Sequence, residues 1–103
     1  MTNGETKLFT MLDRYARNKH HCFLAEFFVD REHAGYFLCF RACGGRIDDP
    51  DRLKCVYLKI GVEEAKDMWS QRVLSNALVQ EMDDELPELY KGVRDSREPL
   101  IKS

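Results

Sequence analysis

The stretch LKCVYLKIGVEEAK, residues 53–66, joins a strand-like run directly to the start of a helix. Its first half, Leu53 to Ile60, is rich in branched and aromatic residues, which favour a strand. Gly61 then opens a segment without internal Pro or Gly, which predicts a helix running to about Glu85, before Pro87. The stretch therefore indicates a sheet whose last strand leads straight into a helix.

The residues before this stretch supply one more helix and two more strands. Thr6 to Lys19 has apolar residues at three- and four-residue spacing, namely Leu8, Phe9, Leu12, Tyr15 and Ala16. Cys22 to Asp30 and Tyr36 to Cys43 are strand-like, and short connections favour an antiparallel meander. The predicted fold class is α+β, in the order α-β-β-β-α, with a three-stranded antiparallel sheet packed on two helices. We expect one domain over residues 1–86 and a mobile charged tail over residues 87–103.

Composition limits the class of protein. Hydrophobic residues make up 44% of the 103 residues and charged residues 33%, which is ordinary for one globular domain. No apolar run approaches the roughly 18 residues that a membrane helix needs, and the start MTNGETK is too polar for a signal peptide. We expect an intracellular protein, cytoplasmic or nuclear, with no membrane partner. Its four cysteines, Cys22, Cys39, Cys43 and Cys55, are then reduced thiols.

The charge distribution disfavours nucleic acid as the main ligand. Residues 1–47 carry seven Lys and Arg against five Asp and Glu, a net charge of +2. Residues 48–103 carry nine against thirteen, a net charge of −4. Nucleic-acid-binding domains usually show a strong basic bias, which a sequence pI of about 5.9 does not provide.

Six residues stand in an order and at spacings that are typical of one family: Tyr15, His33, Phe37, Ala65, Lys66 and Leu74. With this pattern, the chain resembles the double-stranded RNA-binding domain over about residues 6–78. It also departs from the family pattern, and three of the departures are the following. Arg14 stands where the family's first helix has Glu, the Gly-Pro pair before His33 is absent, and Trp69-Ser70 replaces a pair of small residues in the second helix.

The resemblance implies a weak RNA-binding surface. In the family, the first helix and first loop enter successive minor grooves, and lysines of the second helix bind the phosphates between them. The matching positions here are Arg14, Arg17, Lys19, His33 and Lys66. Two lysines of the strongest patch are missing, and Glu63 and Glu64 lie in their neighbourhood, where they repel phosphate.

The apolar pattern favours a protein partner instead. The second and third strands are apolar on both faces, so two helices on one face leave an apolar surface open. The second helix also has two apolar stripes where one is enough to bury it. We predict partner-binding residues on the third strand and second helix: Val56, Leu58, Ile60, Trp69, Leu74, Leu78 and Met82. Two alternatives stay open: the C-terminal tail folds over the open face, or the second stripe belongs to a wide core face.

No motif favours an enzyme. Paired acidic residues such as Asp48-Asp49 lie in a predicted turn, and Gly44-Gly45 follows a strand without a phosphate-loop pattern. The cysteines, with His20 and His21, offer zinc ligands, but no Cys-x-x-Cys pair is present. We expect no catalytic residues, no metal and no cofactor. The favoured interpretation of the cysteines is four buried thiols, and a zinc site is the alternative.

The sequence thus predicts a non-catalytic module that acts in protein–protein interaction or dimerisation, in RNA processing or silencing. One alternative is a weak binder of double-stranded RNA. Another is a small acidic inhibitor or adaptor, such as a phage-encoded nucleic-acid mimic, supported by the acidic region Asp83 to Glu88.

Overall fold

The computed structural model describes residues 1–44 and 54–90. Within these ranges, the chain forms α1 (Asn3–His20), β1 (Cys22–Asp30), β2 (Gly35–Ala42), β3 (Val56–Gly61), α2 (Val62–Gln71) and α3 (Asn76–Glu85). The turn predicted around Asp48 to Asp51 lies outside the described residues, as does Leu53. No helix in the described part of the chain is long and apolar enough to cross a membrane.

The three strands form one antiparallel sheet in the order β1-β2-β3. Leu38 pairs with Phe27 on one side and Leu58 on the other, so the alternation of faces is in register across the sheet. A bulge between Leu24 and Glu26 interrupts the β1–β2 pairing. The α+β class and the three-stranded antiparallel meander are confirmed.

Helix α1 begins and ends with well-defined caps. The Thr2 side chain accepts a hydrogen bond from the Glu5 amide, while the Glu5 carboxylate accepts one from the Thr2 amide, a reciprocal arrangement known as a capping box. At the other end, His21 has a left-handed conformation with φ 51°, and its amide donates to the Ala16 carbonyl. This cap turns the chain directly into β1.

The core lies between the helices and one face of the sheet. The β2 residues on this face are Tyr36, Leu38, Phe40 and Ala42, and all four are buried. From β3 and the helices come further buried side chains, namely Leu8, Leu12, Ala16, Leu58, Ile60, Ala65, Met68, Leu78 and Met82. This burial removes the apolar stripes of all three helices from solvent, which stabilises the fold.

The second helix differs from the sequence prediction. A single helix to about Glu85 was expected, but the chain breaks into α2 and α3 at residues 72–75. Arg72 ends α2 in the left-handed region with φ 58°, and the Ser75 hydroxyl accepts from the Leu78 amide to begin α3. A straight helix would carry α3 away from the sheet, whereas the break lets Leu78 and Met82 enter the core.

The packed part of the chain extends past the expected domain boundary at residue 86. Leu86 and Leu89 are both buried, and Tyr90 packs against the core. The first residues of the predicted tail are therefore held against the domain. The remainder of that tail, residues 91–103, lies outside the described ranges.

Trp69 is accommodated at the domain edge. A Cβ built on Gly4 would lie 2.5 Å from the Trp69 ring, so α1 needs a glycine at this position. The Trp69 ring also meets Tyr36 edge-on, with ring centroids 6.2 Å apart. The large residue that departs from the family pattern is thus placed over the first turn of α1.

Candidate interaction surfaces

The face of the sheet opposite the helices carries aromatic side chains. We call it the open sheet face, and its residues are Phe23, Phe28, Phe37, Arg41, Tyr57 and Lys59. These residues share a face because Phe28 pairs with Phe37, Phe37 with Lys59, and Phe23 with Arg41. Phe28 is 46% exposed and Tyr57 is 60% exposed, so the described residues leave these two rings of the face uncovered.

Cations lie over the aromatic rings of this face. The Lys59 ammonium is 4.8 Å from the centre of the Phe37 ring, and the Arg17 guanidinium is 5.6 Å from that of Phe23. Phe28 and Phe37 also contact each other, with centroids 5.4 Å apart. These contacts fix the orientation of the rings before any partner binds, which lowers the entropic cost of binding.

Beside these rings lies a buried polar strip. The Cys39 side chain is fully buried, and this burial raises the pKa of its thiol. The Nε atom of Arg41 is buried and has no hydrogen-bond partner among the described residues. An unpaired buried donor carries a free-energy cost.

A groove runs along the helical layer, on the other side of the molecule from the open sheet face. Its volume is about 630 Å³, and Met11, Val73, Leu74 and Val79 form its apolar floor. Arg14, Lys19 and Arg72 line its rim. A neighbouring depression of about 450 Å³ shares Met11, Arg14 and Arg72 and adds Lys7, which extends the basic rim along α1.

The groove is acidic on the other side of Val73. A depression of about 410 Å³ is lined by residues of α2 and of the linker between α2 and α3 (residues 72–75), among them Glu64, Asp67, Gln71 and Val73. Val73 borders both depressions and is 55% exposed. The helical layer therefore presents an apolar residue between a basic half and an acidic half.

A hydrogen-bond network centred on Asp83 joins α3 to α1 beside this groove. The Asp83 carboxylate lies 2.7 Å from the Tyr15 hydroxyl, 2.8 Å from Lys19 Nζ and 2.7 Å from His20 Nε2. Partial burial alone raises the pKa of Asp83, but the hydrogen bonds from Lys19, His20 and Tyr15 outweigh it and lower the pKa to about 2. The same contact raises the pKa of Lys19 to about 12.

His20, at the inner end of this network, is enclosed by protein groups. His20 is 4% exposed, and its second ring nitrogen lies 3.3 Å from the Tyr90 hydroxyl. Both nitrogens of the ring are therefore occupied by protein groups. A general base must reach a proton on the substrate, which His20 does not do in this arrangement.

The five predicted RNA-binding residues differ in their partners. Arg17 pairs with Asp13 at 2.8 Å, Lys19 with Asp83 at 2.8 Å, and His33 with Asp30 at 2.8 Å. Arg14 and Lys66 are exposed and make no ion pair within the described ranges.

The first loop and the start of α2 lie side by side. The Val62 amide donates to the Ala34 carbonyl at 3.1 Å, which brings the loop of His33 next to Glu63 and Glu64. A phosphate bound at this loop would therefore lie near the Glu63 and Glu64 carboxylates, which would repel it.

The structure places four of the seven predicted partner-binding residues in the core of this chain. Leu58, Ile60, Leu78 and Met82 are at most 5% exposed, because their side chains face the helices or the sheet. Val56, Trp69 and Leu74 are half-buried at the edge of the core.

The exposed residues are their neighbours in sequence. Tyr57 and Lys59 alternate with Val56, Leu58 and Ile60, so the open face of β3 is the set that the prediction left out. Phe28 and Val73 were also missed: Phe28 follows the bulge in β1, which shifts the alternation, and Val73 lies at a helix break that the sequence pattern did not indicate.

One group of possible metal ligands is present in the described ranges. Ligand atoms of Asp30, Glu32 and His33 lie within 4.8 Å of one another in the first loop. The Asp30 carboxylate already accepts from the Glu32 amide and lies against the His33 ring. The cysteines within these ranges form no comparable group of three.

No protein-family model, curated protein or solved structure matches this chain. The resemblance to the double-stranded RNA-binding domain therefore depends on the six residues and the order of elements, and it remains a prediction.

Proposed function

We propose that this protein is a non-catalytic interaction module that binds a protein partner through the open sheet face. The observation that supports the proposal is the exposure of Phe28 and Tyr57, two aromatic rings of the open sheet face that the described residues leave uncovered. Aromatic side chains on such a patch are the residues that contribute most to protein interfaces when they are buried. In keeping with the resemblance, the proposed setting is RNA processing or silencing.

The charges around these rings favour a partner with acidic groups at its rim. Lys59 and Arg41 lie on the same face, and the Lys59 side chain is exposed. A carboxylate at the edge of a bound surface would approach the Lys59 ammonium while the rings are covered. The proposed partner therefore presents an apolar patch with neighbouring Asp or Glu.

Double-stranded RNA is the alternative ligand, and the internal ion pairs argue against it. Arg17, Lys19 and His33 each lie against a carboxylate of this chain, so phosphate would have to displace an existing partner. Affinity for RNA depends on the number of phosphates that a protein neutralises. Arg14 and Lys66 alone would give weak, strongly salt-dependent binding.

The acidic-mimic alternative also loses support. Asp83 points its carboxylate at α1, and Asp84 accepts from Gln80 at 3.0 Å. The first two acidic residues of the Asp83 to Glu88 region are thus engaged within the chain, whereas a nucleic-acid mimic needs a regular exposed row of charges.

Site-specific photocrosslinking in cells tests the proposal. The crosslinker benzoylphenylalanine replaces Tyr57 in one variant and the exposed α3 residue Glu81 in another. We expect a discrete protein adduct from position 57 and none from position 81. The partner identified from the adduct is then purified, and its affinity is measured for the wild type and for substituted chains.

Two matched substitutions make that measurement specific. Tyr57→Ala removes a ring from the open sheet face, whereas Val29→Ala removes a similarly exposed apolar side chain from the other face, where it pairs with Tyr36. We expect Tyr57→Ala to weaken binding about tenfold or more and Val29→Ala to leave it unchanged. An adduct with RNA, or equal effects of the two substitutions, would refute the proposal.

A further inference from the structure

The helical layer carries a surface whose two halves have opposite charge. The basic half contains Arg14 and Arg72, and the acidic half contains Glu64 and Asp67. Val73 lies on the line between them and exposes 55% of its surface. We call these residues the bipolar surface.

Most of these charges have no ion-pair partner within the described ranges. Arg14, Arg72 and Asp67 are exposed, and each lacks an oppositely charged group within ion-pair distance there. Glu64 accepts a hydrogen bond from the Ser75 hydroxyl at 2.8 Å, which holds its carboxylate beside the linker. By contrast, Lys19 at the far end of the basic half is already bound to Asp83.

Symmetry decides which partner fits such a surface. In a two-fold dimer, both copies use the same surface, related by a 180° rotation. Residues on one side of the axis in the first copy therefore contact residues from the opposite side of that surface in the second copy. With the axis passing at Val73, the basic half of one copy faces the acidic half of the other, and this happens twice. The two Val73 side chains then meet at the centre, away from water.

We propose that the bipolar surface is a self-association site, which forms a two-fold dimer centred on Val73. A second copy of this chain supplies the complement for both halves at once, whereas a uniformly acidic or basic partner would match one half and repel the other. The open sheet face takes no part in this contact. A dimer would therefore still present two open sheet faces, and the proposal is independent of the proposed function.

The first test measures the oligomeric state by sedimentation velocity over a series of concentrations. We expect a concentration-dependent dimer of the wild type, whose dissociation constant rises when salt is increased from about 0.05 M to about 0.5 M. Val73→Asp should weaken the dimer about tenfold or more, because it buries two like charges at the axis. Circular dichroism and a thermal unfolding curve check that the variant is folded.

A mixing experiment tests the charge pattern without requiring that individual pairs be known. Arg14→Glu with Arg72→Glu makes both halves acidic, while Asp67→Lys with Gln71→Lys makes the acidic half basic. We expect each double variant alone to be monomeric and an equimolar mixture to form heterodimers, since both halves then meet their opposite. These substitutions are all at exposed positions, so the fold should be preserved.

Three outcomes would overturn the proposal. The wild type could stay monomeric up to about 1 mM, a concentration at which even weak specific dimers form. The two double variants could fail to associate with each other while the wild type dimerises. Finally, Tyr57→Ala could abolish the dimer while Val73→Asp leaves it intact, which would assign self-association to the open sheet face.

Discussion

Replacing Asp83 with Asn should destabilise the fold through one well-defined set of contacts. The substitution preserves the shape of the side chain but removes the negative charge that Lys19, His20 and Tyr15 share. These three residues belong to the last turns of α1, and Asp83 belongs to α3. The change therefore weakens the contact between α3 and α1, two helices that line the groove of about 630 Å³.

The size of the effect follows from the pKa of Asp83. The contacts lower it from 3.8 to about 2, and each pH unit corresponds to about 1.4 kcal/mol, which gives roughly 2 kcal/mol. The Asp83 side chain is 26% exposed, so solvent screening reduces this value. We expect Asp83→Asn to lower the free energy of unfolding by about 1–2 kcal/mol at neutral pH.

The pH dependence separates this mechanism from a general loss of packing. The folded-state pKa lies below the unfolded value of about 3.9, so the stabilisation is complete above about pH 5 and is lost as pH falls towards about 2. Denaturant unfolding curves of wild type and Asp83→Asn should therefore differ most near pH 5 and converge near pH 2. The control is Asp84→Asn, which removes a neighbouring carboxylate bound to Gln80 on the same helix.

Two results would refute this reasoning. One is an equal loss of stability in Asp83→Asn and Asp84→Asn at neutral pH. The other is a difference between Asp83→Asn and the wild type that stays constant down to about pH 2, because a charge-dependent contribution must vanish when the carboxylate is protonated.

Three further predictions concern the backbone and the thiols. Gly4→Ala should lower the free energy of unfolding by about 1–3 kcal/mol and shift the fluorescence of Trp69, the single Trp, because the new Cβ would overlap its ring; unchanged emission would contradict this. Ala34→Gly should raise the free energy of unfolding by about 0.5–1 kcal/mol, because Ala34 has φ 48°, a left-handed conformation that glycine adopts readily. Ala77→Gly, at an exposed position of α3, should lower the free energy of unfolding by a similar amount. Changes of the same sign in the two variants would contradict this prediction. Cys22 is fully buried and its pKa is raised to about 12, so mass spectrometry should find it unmodified by iodoacetamide at about pH 8 in the folded protein; rapid labelling would contradict this.

The sequence was sufficient to predict the sheet because alternation is a strong local signal. The alternation along β2 predicts one face with Tyr36, Leu38, Phe40 and Ala42, and the structure places all four in the core. The pattern did not indicate which of two apolar faces the helices cover. In the structure α1 contacts β1 beside the bulge, where the Asp13 carboxylate accepts from the Leu24 amide at 2.9 Å.

The helix break was missed because its residues are ordinary in helices. Arg72 occupies the left-handed position that Gly usually takes at a helix end, so no residue type marked the stop. The start of α3 did carry a signal, since Ser75 is a favoured capping residue two positions before the apolar Ala77 and Leu78. A serine inside a continuous apolar pattern is easily taken for an exposed helical residue.

The helix break explains the exposure of Val73. A continuous helix through residues 72–75 would direct Leu78 and Met82 away from the sheet, and these side chains would then form an exposed apolar stripe of the kind first predicted. By turning the chain at Arg72, the fold buries that stripe and leaves Val73 at the turn, where the Val73 amide donates to the Met68 carbonyl. The exposed apolar residue of this region is therefore Val73, between α2 and α3, and not Leu78 or Met82.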